Sequence, residues 1–330
     1  MKKIYLFSML LLLGVISAQA QEEQTKTFQY NHKVDKSDLL SIDNRFGNVV
    51  IATNDGKEID IKVEVKAWAS SAKKAQNILD DIEISESISG GRYLYQTTIH
   101  GGNGSNNRQG YEINYHVKMP KALALDLENK YGNISMEDYT GKLSLELGYG
   151  QLYAKKLETE ECKLEIKYSK ASIDYLKGGN IESKYCSSFD IQEAGNLDWE
   201  DKYGSASIGK VHQLKGESAY SKLKIGELTG VLSWETDYSS LKVDRIATSF
   251  TDIRVDSSYG GVRLNFDKDT AFDFAVTTKY GGFSTTLEGL DIMKEYEKNT
   301  SGEYEGYRNK KNTGKRVEVD SRYGSVRFSD

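Results

Sequence analysis

The chain has 330 residues and a formal net charge of -5, with 30 glycines, one proline and two cysteines. This charge provides no overall attraction to nucleic acid or to an anionic membrane. Two cysteines are too few for a disulfide scaffold, and we expect Cys162 and Cys186 to be buried free thiols. Many glycines and a single proline favour short strands joined by tight turns.

The N-terminus has the pattern of a secretory signal peptide. Two lysines precede an apolar run that ends near Ile16, and small residues at 18 to 20 offer a cleavage site. Loss of the two lysines takes the formal charge from -5 to -7 in a mature chain that starts near Gln21. We therefore predict export to the periplasm or cell surface, with no membrane span after cleavage of residues 1–20.

An aromatic residue recurs along most of the chain and ends a segment in which apolar residues alternate. The regular spacings are 17 to 21 residues, and a second short alternation follows each aromatic. A period of two predicts strands with one buried face. The aromatic positions are Phe46, Tyr131, Tyr149, Tyr168, Tyr185, Tyr203, Tyr220, Tyr238, Tyr259, Tyr280 and Tyr323.

Units this short cannot bury their apolar faces alone, so they are predicted to stack. Every unit runs strand, aromatic corner, strand, and this constant order favours parallel pairing. We predict an all-β fold, a parallel β-solenoid of 17–21-residue coils forming one domain over residues 21–330. Its first coil lies near Phe46 and its last near Tyr323. An α/β insertion at 52–122 (strand, helix and hairpin) is predicted to cap one end, and 288–316 to form a polar loop before the last coil.

The corner itself is predicted from residue parity. The aromatic shares the inward parity of the alternating leucines and valines, so it is predicted to fill the interior as a structural ladder rather than a ligand platform. The glycine after it is expected to supply the unusual dihedral angles of the turn. Trp199 and Trp234 occupy inward positions. Two residues before the aromatic, a polar ladder is expected: Asn44, Asn129, Ser183, Asp201, Ser218, Thr236, Ser257, Thr278 and Ser321.

Three residues before the aromatic, ten of eleven units carry an outward carboxylate. One residue before it, lysine or arginine is frequent. The column is interpreted either as a solvated charged face with weak ion pairs or as a candidate face for an envelope glycan or another surface protein. The candidate residues are Glu128, Glu146, Glu165, Glu182, Glu200, Glu217, Glu235 and Asp256, and the column extends to Asp43 and Asp320.

These repeats resemble the bacterial "putative adhesin" domains, also called head-GIN-like, a family of exported repeat proteins without an assigned activity. The resemblance rests on FGNVVI at 46–51, on YHVKMPKALALDLENKYGNI at 115–134 and on the later Tyr-Gly corners. It covers most of residues 40–328. It implies a fold of repeated short β units and an adhesion-type role in the cell envelope.

The sequence predicts no catalytic, cofactor-binding or metal-binding residues and no cofactor. Stacked carboxylates about 4.8 or 9.6 Å apart approach glycosidase separations, but every neighbouring pair in a stack does so. The four histidines share no metal-ligand spacing. The predicted function is non-catalytic envelope binding. A scaffold without a ligand is the first alternative, and a polysaccharide-degrading β-helix enzyme is the second.

Overall fold

The computed structural model describes residues 21–101 and 109–330. The predicted signal peptide lies outside these residues. The first strands are β1 (Glu22–Lys33), β2 (Leu39–Arg45), β3 (Val49–Asn54) and β4 (Glu58–Ala69), followed by helix α1 (Ala72–Asp80). Next come β5 (Ile82–Ser89), β6 (Arg92–Ile99), β7 (Gly110–Pro120), β8 (Ala124–Lys130), β9 (Ile134–Met136), β10 (Leu143–Gly148), β11 (Gln151–Leu157) and β12 (Cys162–Lys167).

The remaining described elements are also strands, so the prediction of an all-β fold is confirmed. They are β13 (Lys170–Lys184), β14 (Ser188–Lys202), β15 (Ser205–Ala219), β16 (Lys222–Asp237), β17 (Ser240–Ile246), β18 (Asp252–Ser258) and β19 (Val262–Phe266). The last are β20 (Phe272–Lys279), β21 (Phe283–Thr285), β22 (Leu290–Lys298), β23 (Ser301–Arg308), β24 (Arg316–Arg322) and β25 (Val326–Ser329). No helix in the described part of the chain is both long and apolar enough to cross a membrane.

Strands that precede an aromatic corner pair with one another in parallel. From β2 the order is β2, β8, β10, β12, then the second halves of β13 to β16, then β18, β24 and β20. Strands that follow a corner pair in a second parallel series from β3 through β9 and β11 to β25 and β21. We call one corner with its two flanking strands a rung. Because registers match, equivalent residues of successive rungs form columns along the stack.

At the N-terminal end, antiparallel strands follow the outermost parallel pair. In the series before the corner, β6 pairs with β2, and β5 pairs with β6. In the series after it, β7 pairs with β3, β4 with β7, and β1 with β4. The predicted helix is present, and the Ser71 side chain caps it by accepting a hydrogen bond from the backbone N–H of Lys74. These elements lie where the 52–122 insertion was expected to cover the stack.

At the C-terminal end, two sequence predictions are wrong. Strand β24 lies between β18 and β20, so the Tyr323 rung is the penultimate rung rather than the last. Residues 288–316 are not one polar loop, because β22 and β23 form an antiparallel hairpin and β23 pairs with β20. Nearly every side chain of β22 is exposed, which is why its sequence lacks the alternation of a half-buried strand.

The interior contains the alternating apolar residues together with the predicted polar ladder, whose nine members are 0–4% exposed. The inward placement of both tryptophans is confirmed. The indole of Trp199 donates to the Ser183 hydroxyl at 2.8 Å, and that of Trp234 donates to Ser218 at 3.0 Å. Small polar side chains thus satisfy the indole N–H groups that core burial removes from water.

Candidate functional site

The aromatic corners form one continuous stack along the molecule. Adjacent rings lie 4.5–5.2 Å apart between centroids and 1–11° from parallel. The stack passes from Tyr259 to Tyr323 and then to Tyr280, following the strand order. At the other end, the Tyr111 ring meets Phe46 edge-on at 5.4 Å. We call these eleven residues the aromatic ladder: Phe46, Tyr131, Tyr149, Tyr168, Tyr185, Tyr203, Tyr220, Tyr238, Tyr259, Tyr323 and Tyr280.

The prediction that the aromatic fills the interior is wrong. All ten tyrosines of the ladder are 47–51% exposed. The physical reason lies in the backbone, since every ladder residue has a positive φ of 47–63°. This left-handed conformation interrupts the alternation of the strand, so the side chain points outward although its place in the sequence pattern predicts an inward position.

The prediction that glycine supplies the unusual dihedral angles is also wrong. The aromatic residue adopts them, whereas the following glycine permits close backbone approach. A Cβ atom added at Gly150 would lie 1.9 Å from the carbonyl oxygen of Gly132 on the neighbouring rung. Where serine takes this place, its hydroxyl joins rungs, as when Ser169 accepts from the Gly150 N–H at 3.0 Å.

A left-handed backbone costs an L-residue about 1–2 kcal/mol, and an aromatic pair contributes about 0.5–1.5 kcal/mol beyond burial. Stacking therefore offsets much of the strain at each corner. It also covers the ring faces, which leaves the outer edges and the phenolic hydroxyls for contact with other molecules. The ladder is thus a narrow strip of phenol edges that repeats with the strand spacing of about 4.8 Å.

The predicted acidic residues are brought together in one column. Glu128, Glu146, Glu165, Glu182, Glu200, Glu217, Glu235, Asp256 and Asp320 are register partners on successive strands. They lie on the strands that enter the corners, beside the ladder. Asp43 precedes Glu128 in the same register.

On three rungs of the first half of the stack, a lysine pairs with the carboxylate of this column. The Lys130 ammonium lies 2.5 Å from the Glu128 carboxylate, and Lys167 and Lys202 make the equivalent contacts with Glu165 and Glu200. The hydrogen bond from Lys167 lowers the pKa of Glu165, and Lys202 does the same for Glu200. These carboxylates are engaged within the chain, as expected for a solvated charged face.

In the second half of the stack, three consecutive rungs have no such ion pair among the described residues. Among the described residues, Glu235, Asp256 and Asp320 have no lysine or arginine within 4.0 Å, and Glu217 reaches only Lys202 at 3.6 Å. The four line one shallow depression of about 360 Å³, together with Arg322. Burial, and secondarily the charge of Asp320, raises the pKa of Asp256. We call Glu217, Glu235, Asp256 and Asp320 the acidic flank.

A basic column that was not predicted from the sequence lies on the other side of the ladder. Four residues after the corners of the same four rungs, Lys224, Lys242, Arg263 and Arg327 are register partners and are exposed. Asp244 pairs with both lysines, at 3.1 and 2.6 Å. Neither arginine has a carboxylate within 4.0 Å in the described part of the chain. We call these four residues the basic flank. Its sequence signal is a cation four places after Tyr220, Tyr238, Tyr259 and Tyr323, whereas Tyr280, which lies between the last two in the sequence, has Ser284 at that place.

Asp201 is the one carboxylate in the buried polar ladder. It is 3% exposed, accepts a hydrogen bond from the Ser183 hydroxyl at 2.5 Å, and burial raises its pKa. Asparagine occupies the equivalent place in two other rungs. The Asn129 amide donates to the carbonyl of Gly47 at 3.0 Å, so an uncharged amide is compatible with this position.

We expect Asp201→Asn to stabilise the protein at neutral pH, on the order of 1 kcal/mol. A raised folded-state pKa adds stability that is complete below the usual value near 3.8 and is lost as pH rises through the folded value. The difference in Tm between variant and parent should therefore grow from pH 4 to pH 8. A variant less stable than the parent at pH 8 would contradict this assignment.

The described residues contain no group of three or more His, Cys, Asp or Glu side chains placed to hold a metal ion. Both cysteines are buried and unpaired, and burial raises the pKa of Cys162 to about 12, so its thiolate is strongly disfavoured. His32 contacts Glu86 at 2.7 Å and His100 contacts Glu83 at 2.9 Å, both in the N-terminal elements and away from the ladder.

No family model matches the chain, and no curated protein matches it significantly. Solved structures that the chain matches include a "putative adhesin" from Bacteroides fragilis, with 12% identity, 92% of this chain and 97% of that chain covered, and a TM-score of 0.31. A "putative adhesin" from Parabacteroides distasonis has 9% identity, the same coverages and a TM-score of 0.35. A "putative lipid binding protein" from the same species has 12% identity, coverages of 92% and 96%, and a TM-score of 0.31. Similarity at this level supports no inference about fold or activity.

Proposed function

We propose that this protein is an exported, non-catalytic binding protein of the cell envelope, with an adhesin-like role and a β-solenoid stack as its framework. The observation that carries the proposal is the aromatic ladder, in which ten tyrosines are each about half exposed in one continuous row. Monomeric surfaces rarely expose large contiguous apolar strips unless the strips bind something. The ladder is therefore the proposed binding face.

The ladder is a better binding face than the acidic column proposed from sequence. Lysines already satisfy Glu128, Glu165 and Glu200, and exposed ion pairs of this kind contribute little energy. The ladder instead offers ring edges, which release water on contact, and hydroxyls, which both donate and accept hydrogen bonds. Its partner would be an envelope glycan or another surface protein with a matching repeat.

Localisation follows from two sequence features. The predicted signal peptide over residues 1–20 supports export, and the head-GIN-like resemblance supports a place in the periplasm or on the cell surface. A scaffold without a ligand is the alternative. The nearly parallel stacking favours that alternative, because ring stacking by itself offsets the backbone strain at the corners.

A binding screen against envelope glycans and surface proteins tests the proposal. The ladder variant carries Tyr168→Asn, Tyr185→Asn and Tyr203→Asn, because asparagine tolerates a positive φ. We expect the parent to be retained by at least one envelope component and the ladder variant to lose that retention. The partner would then require the tyrosine rings themselves.

The matched control replaces the carboxylates that lie beside these three rings, through Glu165→Gln, Glu182→Gln and Glu200→Gln. This variant should be retained as well as the parent, because the column is assigned to solvation. Circular dichroism and thermal unfolding confirm that both variants are folded. If the glutamine variant loses retention and the ladder variant keeps it, the acidic column is the binding face and the ladder is not.

A further inference from the structure

The second half of the ladder has opposite charges on its two sides. On the rungs of Tyr220, Tyr238, Tyr259 and Tyr323, the acidic flank lies three residues before the corner and the basic flank lies four residues after it. Register pairing keeps each flank in one column, as Asp256 pairs with Asp320 and Arg263 with Arg327. The ladder therefore runs between a negative edge and a positive edge.

At its C-terminal rungs, neither flank forms an ion pair among the described residues, although Arg322 lines the same depression as Asp256. In the described residues, no cation lies within 4.0 Å of Glu235, Asp256 or Asp320, and no carboxylate lies within 4.0 Å of Arg263 or Arg327. The two flanks cannot pair with each other in one molecule, because the ladder separates them. A partner that pairs with both flanks must present a positive column and a negative column on either side of a surface that accepts phenol edges.

We propose that the partner of the aromatic ladder is a second copy of this chain, bound side by side with its rungs parallel. This inference rests on the proposed function, in which the ladder is the binding face. A rotation of 180° about an axis parallel to the stack brings the two ladders edge to edge. It also sets the acidic flank of each copy against the basic flank of the other at the same rungs.

The repeat makes this arrangement possible over the whole length of the ladder. Two copies have the same rung spacing, so a ring of one meets a ring of the other on every rung. An antiparallel arrangement would place the acidic flank opposite the ion-paired rungs of Glu165 and Glu200 and would leave the basic flank without carboxylates. The charge pattern therefore selects the parallel arrangement.

The available area is sufficient for a stable pair. Ten half-exposed tyrosines present about 1,000 Å² on each copy, whereas a standard interface buries about 800 Å² on each partner. Contact between phenol edges also removes less polar surface from water than contact between the charged flanks alone. The flanks would then set register and orientation, and the rings would supply most of the buried apolar area.

Charge reversal tests the inference by sedimentation of the purified protein. The acid-reversed variant carries Asp256→Arg and Asp320→Arg, and the base-reversed variant carries Arg263→Glu and Arg327→Glu, so the reversed positions lie on the same two rungs. We expect the parent to form dimers, and each variant alone to self-associate at least about tenfold more weakly. An equimolar mixture of the two variants should recover association, since every flank again meets the opposite charge.

The inference is overturned if the parent stays monomeric at about 100 μM, or if the mixture associates no better than either variant alone. These outcomes do not affect the proposed function, which is tested separately by the binding screen. If the parent is monomeric but the ladder variant loses envelope retention, the ladder is still the binding face and its partner is not a second copy. If both the parent and the ladder variant dimerise, the ladder is not part of the interface.

Discussion

Arg308→Met is expected to lower the free energy of unfolding by about 3–5 kcal/mol. Arg308 is 1% exposed and lies at the C-terminal end of the stack. Its guanidinium donates to the carbonyls of Glu288, Asp267 and Lys268 at 3.2, 3.0 and 2.9 Å, and to the Asp330 carboxylate at 2.5 Å. Methionine fills similar space but leaves these buried acceptors unpaired, and each such loss is costly.

Chemical denaturation measures this effect, and Asp330→Asn is the matched control. Asp330 is partly exposed, and the asparagine oxygen still accepts a hydrogen bond, so the control should lose less than about 1 kcal/mol. Arg308→Lys should fall between the two, because lysine keeps the charge but not the forked geometry. If Arg308→Met unfolds at the same denaturant concentration as the parent, the buried network does not hold this end of the stack.

Gly324→Ala is expected to destabilise the protein by up to about 3 kcal/mol. Gly324 follows a ladder tyrosine and lies between Gly260 and Gly281 on neighbouring rungs. A Cβ atom at this position would lie 1.9 Å from the Gly260 carbonyl oxygen and 2.9 Å from its carbonyl carbon. Both clashes are with backbone atoms. The two rungs must therefore separate to accommodate the methyl group, which weakens the hydrogen bonds between them.

Gly282→Ala is the matched control for the glycine prediction. It lies at the same end of the stack, yet a Cβ atom there meets nothing within 4 Å, and its φ lies outside the left-handed region. Alanine at this position should change stability by less than about 1 kcal/mol. Equal effects of the two substitutions in thermal unfolding would show that the rungs are loose enough to absorb a methyl group.

Much of the fold could be predicted from sequence because each unit of a stacked repeat has the same short pattern of residues. The alternation before each aromatic identifies the strands, and the constant order of strand and corner indicates parallel pairing. The buried polar ladder, Trp199 and Trp234 also follow from parity alone. These predictions hold because each depends on the face of a strand, which a period of two determines.

The candidate site depended on features that parity does not determine. An alternating strand pattern does not show that the residue after the strand has a positive φ. The aromatic side chains were therefore predicted to point inward, although they are exposed. The basic flank was missed because its members lie after the corner, where the reversal of parity depends on the same dihedral angle. The acidic column and its ion pairs with the lysines that precede the aromatic were predicted correctly, but not which rungs form those pairs.

The sequence by itself determined that the chain is a repeat of short strands with an aromatic at each corner and carboxylates in one column, since these features depend on spacing along the chain. Only the tertiary structure decided which rungs are neighbours. Strand β24 returns between β18 and β20 because the β22–β23 hairpin covers the far side of β20 and leaves its near side open. Only the structure, through the left-handed backbone at each corner, placed the ladder on the surface between the acidic and basic flanks.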